Sequence, residues 1–146
     1  MNDQKKNIVI CDIDGTVANN DHRQHLLKNF KDWDKFFSQL HLDKPIYEII
    51  DKVKEFKKNG KEIIFMTGRP KRYQEETEKW LQRYFKFEFK IVLRDDDDLR
   101  NKLEVKEELL NKNIDVERVY CFIENDTQLS LLWNRLGFSV IEVSDK

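Results

Sequence analysis

Apolar positions along this chain follow two patterns that alternate from end to end. Short unbroken apolar runs are bounded by polar or turn-forming residues. They predict strands at about 7–12, 62–66, 88–93, 118–123 and 138–143, with Ile8-Val9-Ile10-Cys11 and Ile63-Ile64-Phe65-Met66 the most apolar. Between them, apolar residues recur at three- and four-residue spacing. Ile46, Ile49, Ile50, Val53 and Phe56 predict a helix entered at Pro45 and stopped by Gly60. Tyr73, Thr77, Trp80 and Leu81 predict one over about 71–85. Leu103, Lys106, Leu109 and Leu110 predict one over about 102–112, and Leu129, Leu132, Trp133 and Leu136 one over 127–136, closed by Gly137. Trp33, Phe36, Phe37 and Leu40 suggest a shorter helix with Asp32 as its N-cap.

Strand–helix alternation predicts an α/β fold: a mostly parallel central sheet with helices on both faces, joined by right-handed crossovers. Continuous apolar strands fit a sheet covered on both sides. No repeat or Pro-rich linker interrupts 1–146, so one domain is expected, with a small insert at about 21–44.

Composition narrows the partners. The 146 residues carry 27 basic and 28 acidic side chains, so nucleic-acid binding, if present, must rest on a local patch. One such stretch is Lys52 to Arg72, with eight basic residues against two acidic; a solvated helix face explains it equally well. The start, Met1 to Lys6, is polar and unlike a signal peptide. No run approaches the ~20 apolar residues of a membrane span. Cys11 and Cys121 fall in predicted buried strands, as unpaired thiols suited to a reducing, cytoplasmic setting.

The candidate chemistry sits at the strand ends. Ile8-Val9-Ile10-Cys11 runs into Asp12-Ile13-Asp14-Gly15-Thr16. Two carboxylates two residues apart point to one side of an extended chain. They repel each other unless a cation lies near or one holds a proton, and hard oxygen ligands favour Mg²⁺. Thr67-Gly68-Arg69, Arg94 and Glu124-Asn125-Asp126 each follow another strand, so a parallel sheet brings all four clusters to one edge.

These residues resemble the haloacid-dehalogenase-type (HAD) phosphatases, which have a Rossmann-like fold. The Asp-x-Asp-Gly-Thr turn, a Thr after the second strand, a Lys before the fourth and an acidic end to the fourth are its four motifs. Within that superfamily, Thr67-Gly68-Arg69, Val105-Lys106-Glu107-Glu108 and Trp133-Asn134-Arg135-Leu136-Gly137 resemble the 3′-phosphatase domain of bacteriophage polynucleotide kinase-phosphatase. Arg23 and Arg94 match arginines of that domain by their offsets from Asp12 and Lys106.

The resemblance implies Asp12 as nucleophile, Asp14 as acid and base, and Thr67 and Lys106 as donors to phosphate. It implies Arg23, Gly68, Arg69 and Arg94 in substrate binding, and Mg²⁺ held by Asp12, Asp14, Glu124 and Asn125. Asn125 departs from the pattern, which has two adjacent aspartates there, so Asp126 or Glu124 stands as an alternative ligand. Thr67 as a turn residue and Lys106 as a solvated helix lysine are the bland alternatives. The short insert implies a minimal cap, which admits a nucleic-acid end as well as a nucleotide. The expected activity is removal of a 3′-phosphate from a polynucleotide. A nucleotide or small-molecule phosphatase and a catalytically weak binding module are the alternatives. No G-x-x-x-x-G-K-[ST] loop occurs, so a separate kinase or ligase is the expected partner.

Overall fold

The sheet is built from the apolar runs. In the computed structural model, which describes residues 6–27 and 32–144, five parallel strands form one sheet. They are β1 (Ile8–Cys11), β4 (Glu62–Pro70), β5 (Lys90–Arg94), β6 (Val119–Glu124) and β7 (Val140–Glu142), in the order β5-β4-β1-β6-β7. The polar start, residues 1–5, and positions 28–31 of the insert lie outside the described residues.

Strand alternation explains the two cores. Val9 and Cys11 face one side with Ile63 and Phe65, where α2 (Tyr47–Lys58) and α3 (Gln74–Tyr84) supply Ile50, Val53, Trp80 and Leu81. Ile8 and Ile10 face the other side with Ile64 and Met66. There α4 (Lys102–Asn113) and α5 (Thr127–Arg135) supply Leu110, Leu129 and Trp133. Each strand is covered on both faces, so its polar positions lie at its ends. Connections leave β1 in opposite directions, toward β4 and β5 and toward β6 and β7. That reversal makes the carboxyl end of β1 the place where an open α/β sheet forms a crevice. Among the described residues no helix is long and apolar enough to cross a membrane.

The insert is stapled at its base. β2 (Ala18–Asn19) pairs antiparallel with β3 (Lys44–Pro45), and between them lie a 3₁₀ segment, Asp21–Leu27, and α1 (Trp33–Ser38). Asp32 caps α1 by accepting from the Lys35 N–H, as its sequence suggests. The helix expected to start at Pro45 starts instead at Tyr47. The Ile46 N–H donates to the Val17 carbonyl at 2.8 Å, which holds Pro45 extended in β3. The expected strand at 88–93 begins at Lys90, because Phe87 and Phe89 turn to pack on the core.

The basic stretch divides. Lys57 lies over Phe87 and Lys61 over Tyr120, at the ends where strands begin. They sit opposite the edge that carries Asp12, so Lys52–Lys61 does not form a path toward it. Only Arg69, Lys71 and Arg72 lie near that edge.

Candidate active site

Asp12 follows the last residue of β1, and its N–H donates to the Ile123 carbonyl at 3.0 Å, so it is fixed to the sheet. Its side chain is largely buried. Lys106 reaches it from α4, with Nζ 2.7 Å from Asp12 Oδ1. Burial opposes the charge on Lys106, but Asp12 and then Glu124 hold its pKa above the ordinary lysine value. Lys106 is therefore neither solvated nor neutral. Asp12 Oδ2 is left facing Thr16, whose hydroxyl lies 3.2 Å from it and 3.2 Å from Asn125 Oδ1.

Gly15 makes that arrangement possible. Its φ is +81°, and a Cβ there would lie 2.2 Å from Asn125 Nδ2. A side chain would be both strained and in collision, so the glycine lets β6's terminus close against the turn.

Asp14 has different company. Arg69 Nε and Nη2 approach its two oxygens at 3.1 and 2.9 Å, and Arg23 Nη2 lies 2.8 Å from Oδ1. Burial would raise the pKa of Asp14, but Arg69 and then Arg23 outweigh it and hold the carboxyl below its usual value. Behind both arginines sits Asp43, whose side chain is fully buried. It accepts from Arg23 Nε and Nη2, each at 2.8 Å, from Arg69 Nη2 at 3.3 Å, and contacts His22 Nε2 at 2.7 Å. Trp80 Nε1–H donates to the Asp43 carbonyl and Arg69 Nη1 to Thr77 Oγ1. Two carboxylates and two guanidiniums thus form one network, buried at Asp43, Arg23 and Arg69 and open to the cleft at Asp14.

This changes the picture of the arginines. Arg23, expected to hold substrate, is fully enclosed with its guanidinium over the Phe36 ring, so it braces Asp14 from below rather than facing the cleft. Arg69 does line the cleft, with its nitrogens committed to Asp14, Asp43 and Thr77. Asp43 was not anticipated: a lone aspartate before Lys-Pro carries no local signal. Thr67 is buried and its Oγ1 accepts from the Arg69 N–H at 3.0 Å, the turn geometry held open as an alternative, with its own hydrogen free to donate.

A cleft of about 730 Å³ opens over Asp14, and Gly68, Arg69 and Arg94 line it. A Cβ on Gly68 would meet nothing in the protein within 4 Å. Arg94 Nε is buried with no protein partner among the described residues.

The fourth strand end sorts its three polar residues. Asp126 caps α5 through the Leu129 N–H and pairs with Lys102, which turns it away from Asp12. Glu124 is buried, accepting from Trp133 Nε1 and the Asp126 N–H, each at 3.2 Å. Burial, and then the charge of Asp12, push its pKa up to about 8. A divalent cation suits this corner: the available donors are the Asp12 carboxylate, the Asn125 amide oxygen and main-chain carbonyls, all hard oxygens. The positive charge would also offset the Asp12–Glu124 repulsion. Among the described residues no cluster of three or more His, Cys, Asp or Glu surrounds one point. Neutral oxygens, substrate and water would therefore complete the shell of a cation at this corner, as Mg²⁺ accepts.

Sheet order, and an aspartate at the central strand end answered by a helix lysine, put the chain among HAD-like phosphatase domains. A class C acid phosphatase from Bacillus anthracis with tungstate bound shares the fold, with a TM-score of 0.66 over 96% of this chain and 67% of that one, at 19% identity.

More narrowly, the chain belongs to the polynucleotide kinase PNKP phosphatase domain family, whose sequence profile matches residues 6–146. It is 25% identical, with a TM-score of 0.77, to a chain of the Pnkp1/Rnl/Hen1 RNA repair complex, over 94% of this chain and 42% of that one. It is 30% identical over 116 residues to a protein of Autographa californica nuclear polyhedrosis virus described as a bifunctional polynucleotide kinase/RNA ligase. The match takes in 78% of this chain and 16% of the viral protein. The chain thus spans less than half the length of either relative.

Proposed function

We propose that this chain is a Mg²⁺-dependent phosphomonoesterase that removes 3′-phosphate from polynucleotide ends through an aspartyl-phosphate. The observation that carries the reading is the division of labour between the two carboxylates. Asp12 is buried and charge-paired with Lys106 at 2.7 Å, while Asp14, two residues on, is held by two arginines at the floor of an open cleft.

Asp12 Oδ2 attacks phosphorus, forming the Asp–O–P bond as the bond to the leaving 3′-oxygen breaks. Asp14 gives that oxygen its proton, then takes one from the water that hydrolyses the acyl phosphate, which returns Asp12 and releases inorganic phosphate. The arginines keep Asp14 ionised, which suits the base step. The negative charge of the bound phosphate, close to Asp14, favours its protonation for the acid step. Lys106 and the Thr67 hydroxyl stabilise the equatorial oxygens. Asp12 and Asn125, with Glu124 beside them, would hold a Mg²⁺, which would supply charge neutralisation for the approach of carboxylate to phosphate. Gly68 and Arg94 bind the nucleotide. A structural relative from a Pnkp1/Rnl/Hen1 RNA repair complex and a viral relative described as a polynucleotide kinase/RNA ligase support a role beside kinase and ligase activities in RNA end repair.

The test compares Mg²⁺-dependent phosphate release from a 3′-phosphorylated oligonucleotide and from nucleoside monophosphates, for the wild type and Asp12→Asn. Turnover of the oligonucleotide that disappears in Asp12→Asn is expected. Turnover of monophosphates alone would assign a nucleotide phosphatase. No hydrolysis of either would leave a binding module, and an active Asp12→Asn would remove Asp12 as nucleophile.

A further inference from the structure

The edge of the sheet where the strands begin carries charge that the phosphatase chemistry does not use. From Lys52 to Lys61 five lysines stand against one acid, Glu55. Lys52, Lys54 and Lys58 are exposed on α2, and Lys57 and Lys61 are half-buried at its end and in the turn that follows. At the opposite edge Lys71, Arg72, Lys102 and Lys106 each pair with a carboxylate. Among the described residues none of the five lysines does. Glu62, the next acid along the chain, is already taken by Arg118 at 2.9 Å and Lys90 at 3.2 Å.

Two of these cations are held in place by rings. Lys61 Nζ lies 4.4 Å from the centroid of Tyr120, which meets Phe56 edge-on at 6.0 Å, and Lys57 Nζ lies 5.4 Å from that of Phe87. A ring positions an ammonium without cancelling its charge. Burial pushes the Cys121 thiol up to about 11, and Lys61 and Lys52 are close enough to act against that rise. Lys54 stands three residues from Lys57 and four from Lys58, spacings at which like charges on a helix repel. Lys57 and Lys58 suit the carboxyl end of the helix dipole, but Lys52, Lys54 and Lys61 fall outside the last turn of α2 and gain little from it.

Cations that are uncompensated and repel one another favour an anion of many charges. The surface has no large apolar centre for a protein: its rings are Phe56 and Phe87, half-buried, and Tyr120, 44% exposed. Lysine ammoniums are point charges, which suit phosphates and read no base. Across the molecule the cleft is rimmed by Asp32, Asp34, Asp96 and Asp98, which repel the phosphodiesters behind the phosphate at Asp12. The body of a strand is thus pushed from one edge and attracted at the other.

We propose that the lysines around the end of α2 anchor the phosphodiester backbone of the strand whose 3′ end is processed, remote from the cleft and without regard to sequence. This rests on the polynucleotide reading and adds a substrate length to it. β4 spans nine residues, about 30 Å, and at about 3.4 Å per nucleotide a strand needs roughly ten nucleotides to cover that distance.

The test compares a 3′-phosphorylated trinucleotide with a strand of about 30 nucleotides, roughly three times that span. It uses the wild type and a variant combining Lys52→Gln, Lys57→Gln, Lys58→Gln and Lys61→Gln, whose circular dichroism is matched to wild type. At about 50 mM salt the variant is expected to raise KM for the long strand at least about tenfold and to leave the trinucleotide unchanged. The four corresponding Lys→Arg changes keep the charge and should keep the wild-type KM. An equal effect on both substrates would overturn the proposal. No effect on either would also overturn it, and would turn the surface over to an acidic protein.

A second readout needs neither turnover nor a variant. Binding of the long strand with a 3′-hydroxyl end is followed by fluorescence anisotropy as salt is raised. At about 0.7 per phosphate contact, four lysines give log K against log salt a slope of about −3, roughly a fiftyfold loss between about 50 and 200 mM salt. A slope as shallow as that of the trinucleotide would overturn the proposal. Steep, length-dependent binding without hydrolysis of any 3′-phosphate would uphold the anchor and reject the 3′-phosphatase reading. Hydrolysis of the long strand with a shallow slope would do the reverse.

Discussion

Replacing Asp43 by Asn tests whether the buried network beneath Asp14 is needed for both folding and chemistry. In the wild type, Asp14 and Asp43 balance Arg23 and Arg69. Asparagine has the same shape but leaves two guanidiniums facing one carboxylate, with an amide NH₂ in place of an acceptor. Breaking a buried ion pair by removing one partner costs about 3–5 kcal/mol, because the remaining charge is uncompensated. For a chain of this size, about 3 °C per kcal/mol gives a fall in Tm of roughly 10–15 °C. The activity should fall as well. Arg23 and Arg69 lose their brace and settle more strongly on Asp14, which makes its acid step harder; displacement of about 1 Å at such a site costs on the order of 10²-fold in rate. The assay is thermal unfolding followed by circular dichroism, with kcat measured well below the variant's Tm. A variant within about 1 °C of wild type and with full kcat would refute the reasoning. Paired apolar replacement, Arg23→Met with Asp43→Leu, should recover part of the stability and none of the activity.

Three further outcomes follow from the same geometry. Gly68→Ala should leave stability within about 0.5 kcal/mol, since its Cβ meets nothing in the protein, yet lower kcat/KM by crowding the substrate; equal kinetics would remove Gly68 from the binding surface. Asn125→Asp should lower the Mg²⁺ concentration giving half-maximal activity, by adding a charged oxygen beside Asp12; an unchanged requirement would place Asn125 away from the cation. Glu62 pairs with Arg118 at 2.9 Å and Lys90 at 3.2 Å, and these pairings outweigh partial burial and hold its carboxyl below the usual value. Because the folded pKa is depressed, its stabilisation is present above the unfolded value and is lost as pH falls through the folded one. Glu62→Gln should therefore cost about 0.5 kcal/mol at pH 7, after allowance for solvent screening, and progressively less as pH falls below the unfolded value; urea melts across that range check this.

Some features were determined by local sequence alone. Ile8-Val9-Ile10-Cys11 is a strand because an unbroken apolar run of that length can only be buried. Asp12-Ile13-Asp14-Gly15-Thr16 lies at its end because Gly15 supplies the positive φ of the turn. The positions of Lys106 and of the Thr67-Gly68-Arg69 segment at the site follow from strand–helix alternation, since a parallel sheet puts every strand's carboxyl end on one edge. What the chain could not announce were contacts whose energy depends on distant segments. Pro45 is a good first residue for a helix, but the Ile46 N–H finds Val17 across the insert, and the helix waits until Tyr47. Trp33 shares its spacing with Phe36, Phe37 and Leu40 and reads as part of a short helix, with no sign of which face is buried. The six-residue helix buries Phe36 and Phe37, and Trp33 is left half-exposed at the cleft. Asp43 and Arg23 are polar residues in a stretch without periodicity. Only the closing of the insert by β2 and β3 brings them under Asp14, where the balance of two buried charges against two makes their burial tolerable.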